Sequence, residues 1–184
     1  MNKGKIVIIS GPSGSGKTTL HKRLLASKRL RKALVKSISA TTRLRRPGEK
    51  HGRDYLFLSR SEFLSRKKAG RFLEWQKVFD NYYGTPRQAV DRLLKGGQNV
   101  LLCIDVKGAR VVSRHFPQAI KVFIQAPSFT ILKKRLKARG TETSSDLKLR
   151  FLSSRKEMQE ALRYNYIVVN DDLSQASRKL ESIV

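Results

Sequence analysis

Gly11, Gly16, Lys17 and Thr18 stand at the spacing G-x-x-x-x-G-K-[ST], directly after the apolar run 5–10. In the stretch Gly11-Pro-Ser-Gly-Ser-Gly-Lys-Thr18, glycines let consecutive backbone N–H groups turn inward. The helix-like run 18–30 that follows adds the positive end of its dipole. Strand, glycine loop and helix in that order make a cradle for a polyphosphate, which a plain Gly/Ser turn without those flanks would not. In such a cradle Lys17 reaches the β- and γ-phosphates and the Thr18 hydroxyl ligates Mg²⁺. Gly11, Pro12, Ser13, Gly14, Ser15, Gly16, Lys17, Thr18 and Thr19 are therefore expected to bind a nucleoside triphosphate, with Mg²⁺ as its companion ion.

The recipient of that phosphate has to be sought elsewhere. Arg43 and Arg46 lie in a basic Pro/Gly loop, 43–53. Arginine forks and tyrosine hydroxyls are the donors a phosphate monoester needs. Each Arg alone would be a solvated surface charge and each Tyr a half-buried core residue. Glu74, between Leu73 and Trp75, offers a carboxylate acceptor, and Asp105 closes the apolar run 100–104, a usual place for an acid beside a phosphate loop.

Apolar runs alternating with helical periodicity position these groups and predict an α/β fold. Strands are expected at 5–10, 33–39, 54–59, 72–79, 99–105, 119–126 and 164–170. Helices are expected at 18–30, after the capping box Ser59-x-x-Glu62 with Phe63 and Leu64 inward, and from Thr85 as N-cap. A short helix from Val106 and helices at 128–137, 146–163 and 172–184 complete the set. Residues 81–84 read as a turn and 139–145 as a polar loop. The predicted outcome is a parallel sheet flanked by helices, interrupted after the second strand by a mixed α/β insertion.

The chain of 184 residues suits one domain, and 39% apolar residues are enough for a real core. No apolar run is long enough to span a membrane, and the first strand begins by residue 5, so no leader and a cytoplasmic location are expected. One cysteine, Cys103, excludes an internal disulfide framework. Forty Lys and Arg against fourteen Asp and Glu give +26, a field that attracts polyanions. The basic residues are spread without interleaved aromatics, so weak, salt-sensitive association with nucleic acid is expected rather than specific recognition.

Eight blocks, in order and over nearly the whole chain, resemble the guanylate kinase family of P-loop NTPases. Besides the loop's own neighbourhood they are Ser37-Ile-Ser-Ala-Thr-Thr-Arg43, Arg46-Pro-Gly-Glu49, Gly52-Arg-Asp-Tyr55, Phe72-Leu-Glu-Trp75 and Asn81-Tyr-Tyr-Gly-Thr85. Ile104-Asp-Val-Lys-Gly-Ala109, Arg139-Gly-Thr-Glu142 and Val168-Val-Asn-Asp-Asp-Leu173 complete them. The resemblance implies a Mg²⁺-dependent transfer of the ATP γ-phosphoryl group to GMP or dGMP, on a core of 1–36, 89–134 and 164–184. It implies a GMP-binding insertion at 37–88 and a small helical lid at 135–163. On the acceptor side it implies Arg43, Arg46, Tyr55 and Tyr83 on the phosphate, and Ser39, Glu74, Thr85 and Asp105 on the nucleoside. Lys17, Arg43, Asp105, Arg135, Arg139 and Arg150 would act in catalysis, and Asn170 would lie in the adenine-contacting loop.

Departures from the family pattern occur at Cys103, where an acid is usual, at Arg45 for a proline and at Lys107 for a glutamine. A thiol is a poor acceptor, so Cys103 bears on guanine selectivity. The competing readings are a kinase of altered acceptor choice and a non-catalytic phosphopeptide-binding module of the same fold. The intact Lys17 and Thr18 speak against the module.

Overall fold

Short β-branched runs in the sequence become strands, and their burial on both faces makes them parallel. The computed structural model of the chain describes residues 3–78, 80–138 and 144–184, the side chains of 144–150 excepted. In chain order the elements are β1 (Ile6–Ser10), α1 (Lys17–Ala26), β2 (Leu34–Lys36), β3 (Ala40–Thr41), β4 (Leu56–Phe57), α2 (Arg60–Lys68), β5 (Phe72–Val78) and β6 (Asn81–Pro86). They continue as α3 (Arg87–Lys95), β7 (Asn99–Cys103), α4 (Val106–His115), β8 (Ile120–Gln125), α5 (Phe129–Lys137), α6 (Ser144–Gln159), β9 (Tyr166–Val169) and α7 (Leu173–Ile183). A 3₁₀ turn, Glu160–Arg163, prolongs α6.

The main sheet has the order β2-β7-β1-β8-β9, every pairing parallel. Its alternating side chains divide the core in two. Val7, Ile9, Leu34, Leu101, Val122, Ile124 and Val168 face Leu20 and Leu24 of α1 and Ala176 and Leu180 of α7. Ile6, Ile8, Val100 and Leu102 face Val90 and Leu94 of α3 and Ala109 and Val112 of α4. Each such side chain contributes roughly 1.5–3 kcal/mol by leaving water. This two-sided burial fixes where the C-terminal ends of β1 and β7 point.

A second sheet, β4-β3-β6-β5, holds residues from the expected insertion. β3 and β4 pair in parallel, while β6 is antiparallel to both β3 and β5. Its own core is aromatic: Phe63 of α2 stacks on Phe72 at 4.5 Å and on Tyr82 at 5.4 Å between ring centroids. The register of β5 on β6 shifts between Phe72 and Glu74. As a result three successive residues are buried, and they serve three places. Phe72 enters the aromatic core, Leu73 joins the core of the main sheet, and Glu74 turns to the site.

Several expectations are corrected. Residues 81–84 are strand, not turn: Tyr82 packs on Phe63 while its neighbour Tyr83 meets the Tyr55 ring, the period of two that a strand imposes. Thr85 is not the N-cap of α3. Pro86 takes that position, and the Thr85 hydroxyl is committed to Glu74. Leu64 is exposed, one position round the helix from the buried Phe63. The first helix ends at Ala26, not near 30, where Lys28, Arg29, Arg31 and Lys32 would crowd like charges on a further turn. The second strand is shorter than 33–39: its ladder with β7 covers Leu34–Lys36, with one flanking hydrogen bond each at Ala33 and Ser37. The capping box is complete: Glu62 N–H donates to Ser59 Oγ at 3.2 Å, and Ser59 N–H donates to Glu62 Oε2 at 2.8 Å. The expected loop 139–145 lies largely outside the described residues.

The aromatic core of the second sheet is small, so it depends on few side chains. Phe63→Ala is expected to cost about 3–5 kcal/mol in chemical denaturation, with the loss confined to early unfolding of the second sheet in hydrogen exchange.

Candidate active site

The phosphate loop is shaped from behind. Gly11 and Gly16 have φ of 143° and 91°, a region closed to most residues, and Cβ atoms there would lie 2.1 Å from the Ile124 carbonyl oxygen and 2.0 Å from Asn170 Nδ2. Asn170 is buried, and its side-chain amide donates to Ser15 O at 2.8 Å. Its own carbonyl accepts from Arg135 Nη1 at 3.0 Å. The chain segment after β9 thus braces the loop after β1. Lys17 Nζ donates to Gly11 O at 2.5 Å and Pro12 O at 2.9 Å, lying along the rim of the cradle. No side chain caps α1, whose N-cap is Gly16, so its first N–H groups face the cradle. Ser15 Oγ is buried there without a hydrogen-bond partner, while Thr18 and Thr19 are exposed on the first turn.

Across the sheet edge, the 43–57 segment assembles a cationic group around aromatic rings. Arg43 Nη2 donates to both Glu49 oxygens, at 2.7 and 2.9 Å, and Arg46 N–H donates to Glu49 Oε2 at 2.9 Å. Burial works against the Arg43 charge, but the Glu49 carboxylate outweighs it and holds the guanidinium above its ordinary value. The guanidinium lies 5.6 Å from the Tyr55 ring, and the Tyr55 and Tyr83 rings meet edge to face at 6.2 Å. Burial pushes the Tyr55 hydroxyl up to about 12, so it remains a proton donor at neutral pH. Ser39 sits half-buried just before β3, its carbonyl accepting from Leu56 N–H at 2.9 Å.

Between these groups stand two carboxyls. Glu74 accepts the Thr85 hydroxyl at 2.6 Å, both residues being buried. Burial, and then the charge of Asp105, raises Glu74 to about 7. Asp105 caps α4, accepting Gly108 N–H at 2.7 Å; burial raises its carboxyl too, against the pull of Lys107 and Lys17. A Cβ on Gly108 would lie 2.5 Å from Glu74 Oε2 and 3.2 Å from Asp105 Oδ1, so only glycine lets β5 and α4 bring the pair this close. Cys103, half-buried at the end of β7, has its thiol held protonated by burial, against Lys17 and Lys36.

The donor set also bears on Mg²⁺. Among the described residues no three His, Cys, Asp or Glu side chains gather into a protein cage. The Thr18 hydroxyl beside the cradle and the nearby Asp105 carboxylate are hard oxygen donors. They suit an ion that takes most of its shell from phosphates and water. The residues fit.

Most residues expected from the sequence converge here: the loop 11–19 and Asn170 on one side, Arg43, Arg46, Tyr55 and Tyr83 on the other, Glu74, Thr85 and Asp105 between. Arg135 is engaged with the Asn170 carbonyl on the loop side. Arg139 and the Arg150 side chain lie outside the described residues. The sequence reading missed Glu49 as the partner that orients Arg43, Gly108 as the glycine between the carboxyls, and Asn170 as a brace. For Glu49 the signal was present, an acid three residues beyond Arg46 in an otherwise cationic loop.

The family profile described as guanylate kinase matches residues 3–184. The chain is 43% identical over 182 residues to the guanylate kinase of Caldanaerobacter subterraneus subsp. tengcongensis, covering 99% of this chain and 87% of that one. It is 45% identical over 186 residues to that of Desulfotalea psychrophila, covering 100% and 90%. The crystal structure of guanylate kinase from Anaplasma phagocytophilum superposes with a TM-score of 0.79 at 30% identity, over 100% of this chain and 85% of the other. With the phosphate loop, the two-sheet fold and these relatives in agreement, the chain belongs to the guanylate kinase family of ATP:GMP phosphotransferases.

Proposed function

We propose that this chain transfers the γ-phosphoryl group of ATP to GMP or dGMP, with Mg²⁺, in the cytoplasm. The observation that carries the reading is the meeting of a phosphate loop and an Arg–Tyr group at the end of one strand, β7, with Glu74 and Asp105 between them. The second sheet, residues 37–88, serves as the acceptor-binding part, 135–163 as the lid, and the rest as the core.

On the donor side the backbone of residues 11–16 and Lys17 hold the triphosphate, and Lys17 exchanges the Gly11 and Pro12 carbonyls for phosphate oxygens. Thr18 would hold Mg²⁺, which supplies charge neutralisation on the phosphates. Asn170 acts on ATP through the loop it braces. On the acceptor side Arg43, oriented by Glu49, with Arg46, Tyr55 and Tyr83, takes the phosphate of GMP. Glu74 and Asp105 accept from the guanine N–H groups and the ribose, with Ser39 and Thr85 in support. A dianionic acceptor phosphate attacks the γ-phosphorus as the bond to the bridging oxygen breaks, so no proton has to be moved. Positioning and charge neutralisation do the rest, helped by closure of Arg135, Arg139 and Arg150. The +26 charge supports a weak, salt-sensitive hold on polyanions besides.

Coupled ADP release with GMP, dGMP, AMP, UMP and CMP tests the reaction. Strong stimulation by GMP and dGMP alone is expected; none by any monophosphate would sink the proposal. Equal rates with AMP would show that Cys103 has relaxed base choice. Lys17→Met is expected to lower kcat by about 10²-fold or more with the fold retained by circular dichroism.

Base reading by Glu74 requires its ionised form, and its folded value is about 7 against an ordinary 4.5. The kcat/KM for GMP is therefore expected to rise with pH through about 7, and Glu74→Gln should flatten that limb. For stability the sign is opposite. The folded carboxyl keeps its proton where the unfolded one has lost it, so the Glu74 contribution to stability declines as pH rises from 4.5 to about 7. The Tm advantage of Glu74→Gln should grow over that window in the absence of GMP. A parallel pH profile for parent and variant would remove Glu74 from the base-reading role.

A further inference from the structure

Two strands deliver side chains to one face at the C-terminal edge of the main sheet. Leu34 of β2 and Leu101 of β7 lie in the core cluster beneath α1. Strand periodicity returns Lys36 and Cys103, each two residues further on, to that same face. Lys36 is in register with Leu101, one step below Cys103 on the neighbouring strand. Lys17, at the start of α1, closes the third side. Its charge and that of Lys36 both bear on the Cys103 thiol and on the His21 ring. Lys36 Nζ also lies 5.9 Å from the centroid of the Tyr55 ring, the ring that Arg43 approaches to 5.6 Å. Lys36 therefore stands between the phosphate loop and the Arg43–Tyr55–Tyr83 group.

Among the described residues no ion pair answers the charge of this ammonium. Its one hydrogen bond among the described residues is a long one, 3.5 Å to the Asp54 carbonyl oxygen. No carboxylate pairs with it among those residues, although the side chain is half-buried. The groups near it are His21 from α1, Cys103 from β7, Tyr55 with Arg43 beyond it, and Asp54, whose carboxylate is engaged by the Lys50 N–H and the Arg53 guanidinium. Burial and the surrounding lysines hold the His21 ring down to about 4, hence neutral, and burial keeps the Cys103 thiol protonated. A half-buried, unpaired cation is costly unless an anion arrives to meet it. At this place the anion is a phosphate.

We infer that Lys36 is a further catalytic residue, whose ammonium contacts the phosphate of the acceptor nucleotide and offsets charge as the second phosphoryl group approaches. The inference rests on the proposed ATP:GMP reaction. An oxygen of the acceptor phosphate forms the new P–O bond while the bond from the γ-phosphorus to its bridging oxygen breaks. ADP leaves with that electron pair, and Lys36 keeps its protons throughout. A lysine suits this task as a compact charge with rotatable donors, able to follow the phosphoryl group between two anions. The neutral Cys103 matters to it as well. A carboxylate at 103 would pair with Lys36, whereas a thiol leaves the charge for the substrate.

The test compares the parent chain with Lys36→Met and Lys36→Arg. Lys36→Met is expected to lower kcat/KM for GMP by about 10²-fold and leave KM for ATP within about twofold. Its Tm should be unchanged or higher, because an unpaired half-buried charge has been removed. Lys36→Arg should recover about tenfold of the loss by restoring the cation. Parental kcat/KM for GMP in Lys36→Met overturns the inference. So does a loss that comes with a lower Tm and is not rescued by Lys36→Arg, which would mark a packing role. If the parent itself shows no GMP-stimulated ADP release, the proposed reaction fails instead. Lys36 is then read by calorimetric titration with GMP, where about tenfold weaker binding by Lys36→Met sustains it and equal affinity overturns it.

Discussion

The contact on which the site depends is the hydrogen bond from Asn170 to the Ser15 carbonyl, with Gly16 close beneath it. A loop that turns N–H groups inward has carbonyls directed out and back, and those need hydrogen-bond donors of their own. Asn170 supplies one from the chain just beyond β9, so the loop after β1 is shaped by the strand two places away in the sheet. Arg135 fastens to the Asn170 carbonyl. The cradle is therefore only as well formed as the register of β1, β8 and β9, which their buried alternation sets.

The second constraint lies at the junction of the two sheets. The register shift in β5 directs Leu73 into the main core and Glu74 towards Asp105, and the bare backbone of Gly108 permits the approach. Two carboxyls brought together in a buried place raise each other's affinity for protons. Burial and the Asp105 charge raise Glu74, and the Thr85 hydroxyl and N–H offset only part of this, while Asp105 accepts from the Gly108 N–H and feels the Lys107 and Lys17 charges. The same burial that suits Glu74 to its proposed role as a guanine acceptor thus makes it pH-sensitive.

What the sequence disclosed follows from the range of each interaction. Most strands and helices were legible to within about two residues, as was the capping box, since these depend on neighbours along the chain, whereas the ends of α1 and β2 were set too late. Residues 81–84 were misread because Asn-Tyr-Tyr-Gly carries turn residues, while strand pairing with residues 75–78 and aromatic packing on Phe63 decide its conformation. Thr85 was misread for a similar reason: a hydroxyl beside a proline looks like a cap until Glu74 is seen beside it in space. The site residues were legible chiefly through family resemblance, whereas Gly108 and Lys36 stand in contacts no local pattern encodes.

Charge closes the account of the site. Of the many cations, most lie in water, where a unit charge at 4 Å is worth about 1 kcal/mol and salt screens it beyond roughly 8 Å. At a partly buried position the same charge is worth about 4 kcal/mol. The few cations that matter are those withdrawn from solvent, and they fall into two kinds. Arg43 has Glu49, which fixes its fork in place and uses part of its charge to do so. Among the described residues Lys36 has a distant carbonyl and a ring face. One cation is positioned and partly neutralised; the other is less constrained and has no carboxylate partner among the described residues. A reaction that brings two polyanions together needs both, the first to orient the acceptor and the second to lower the repulsion as they meet.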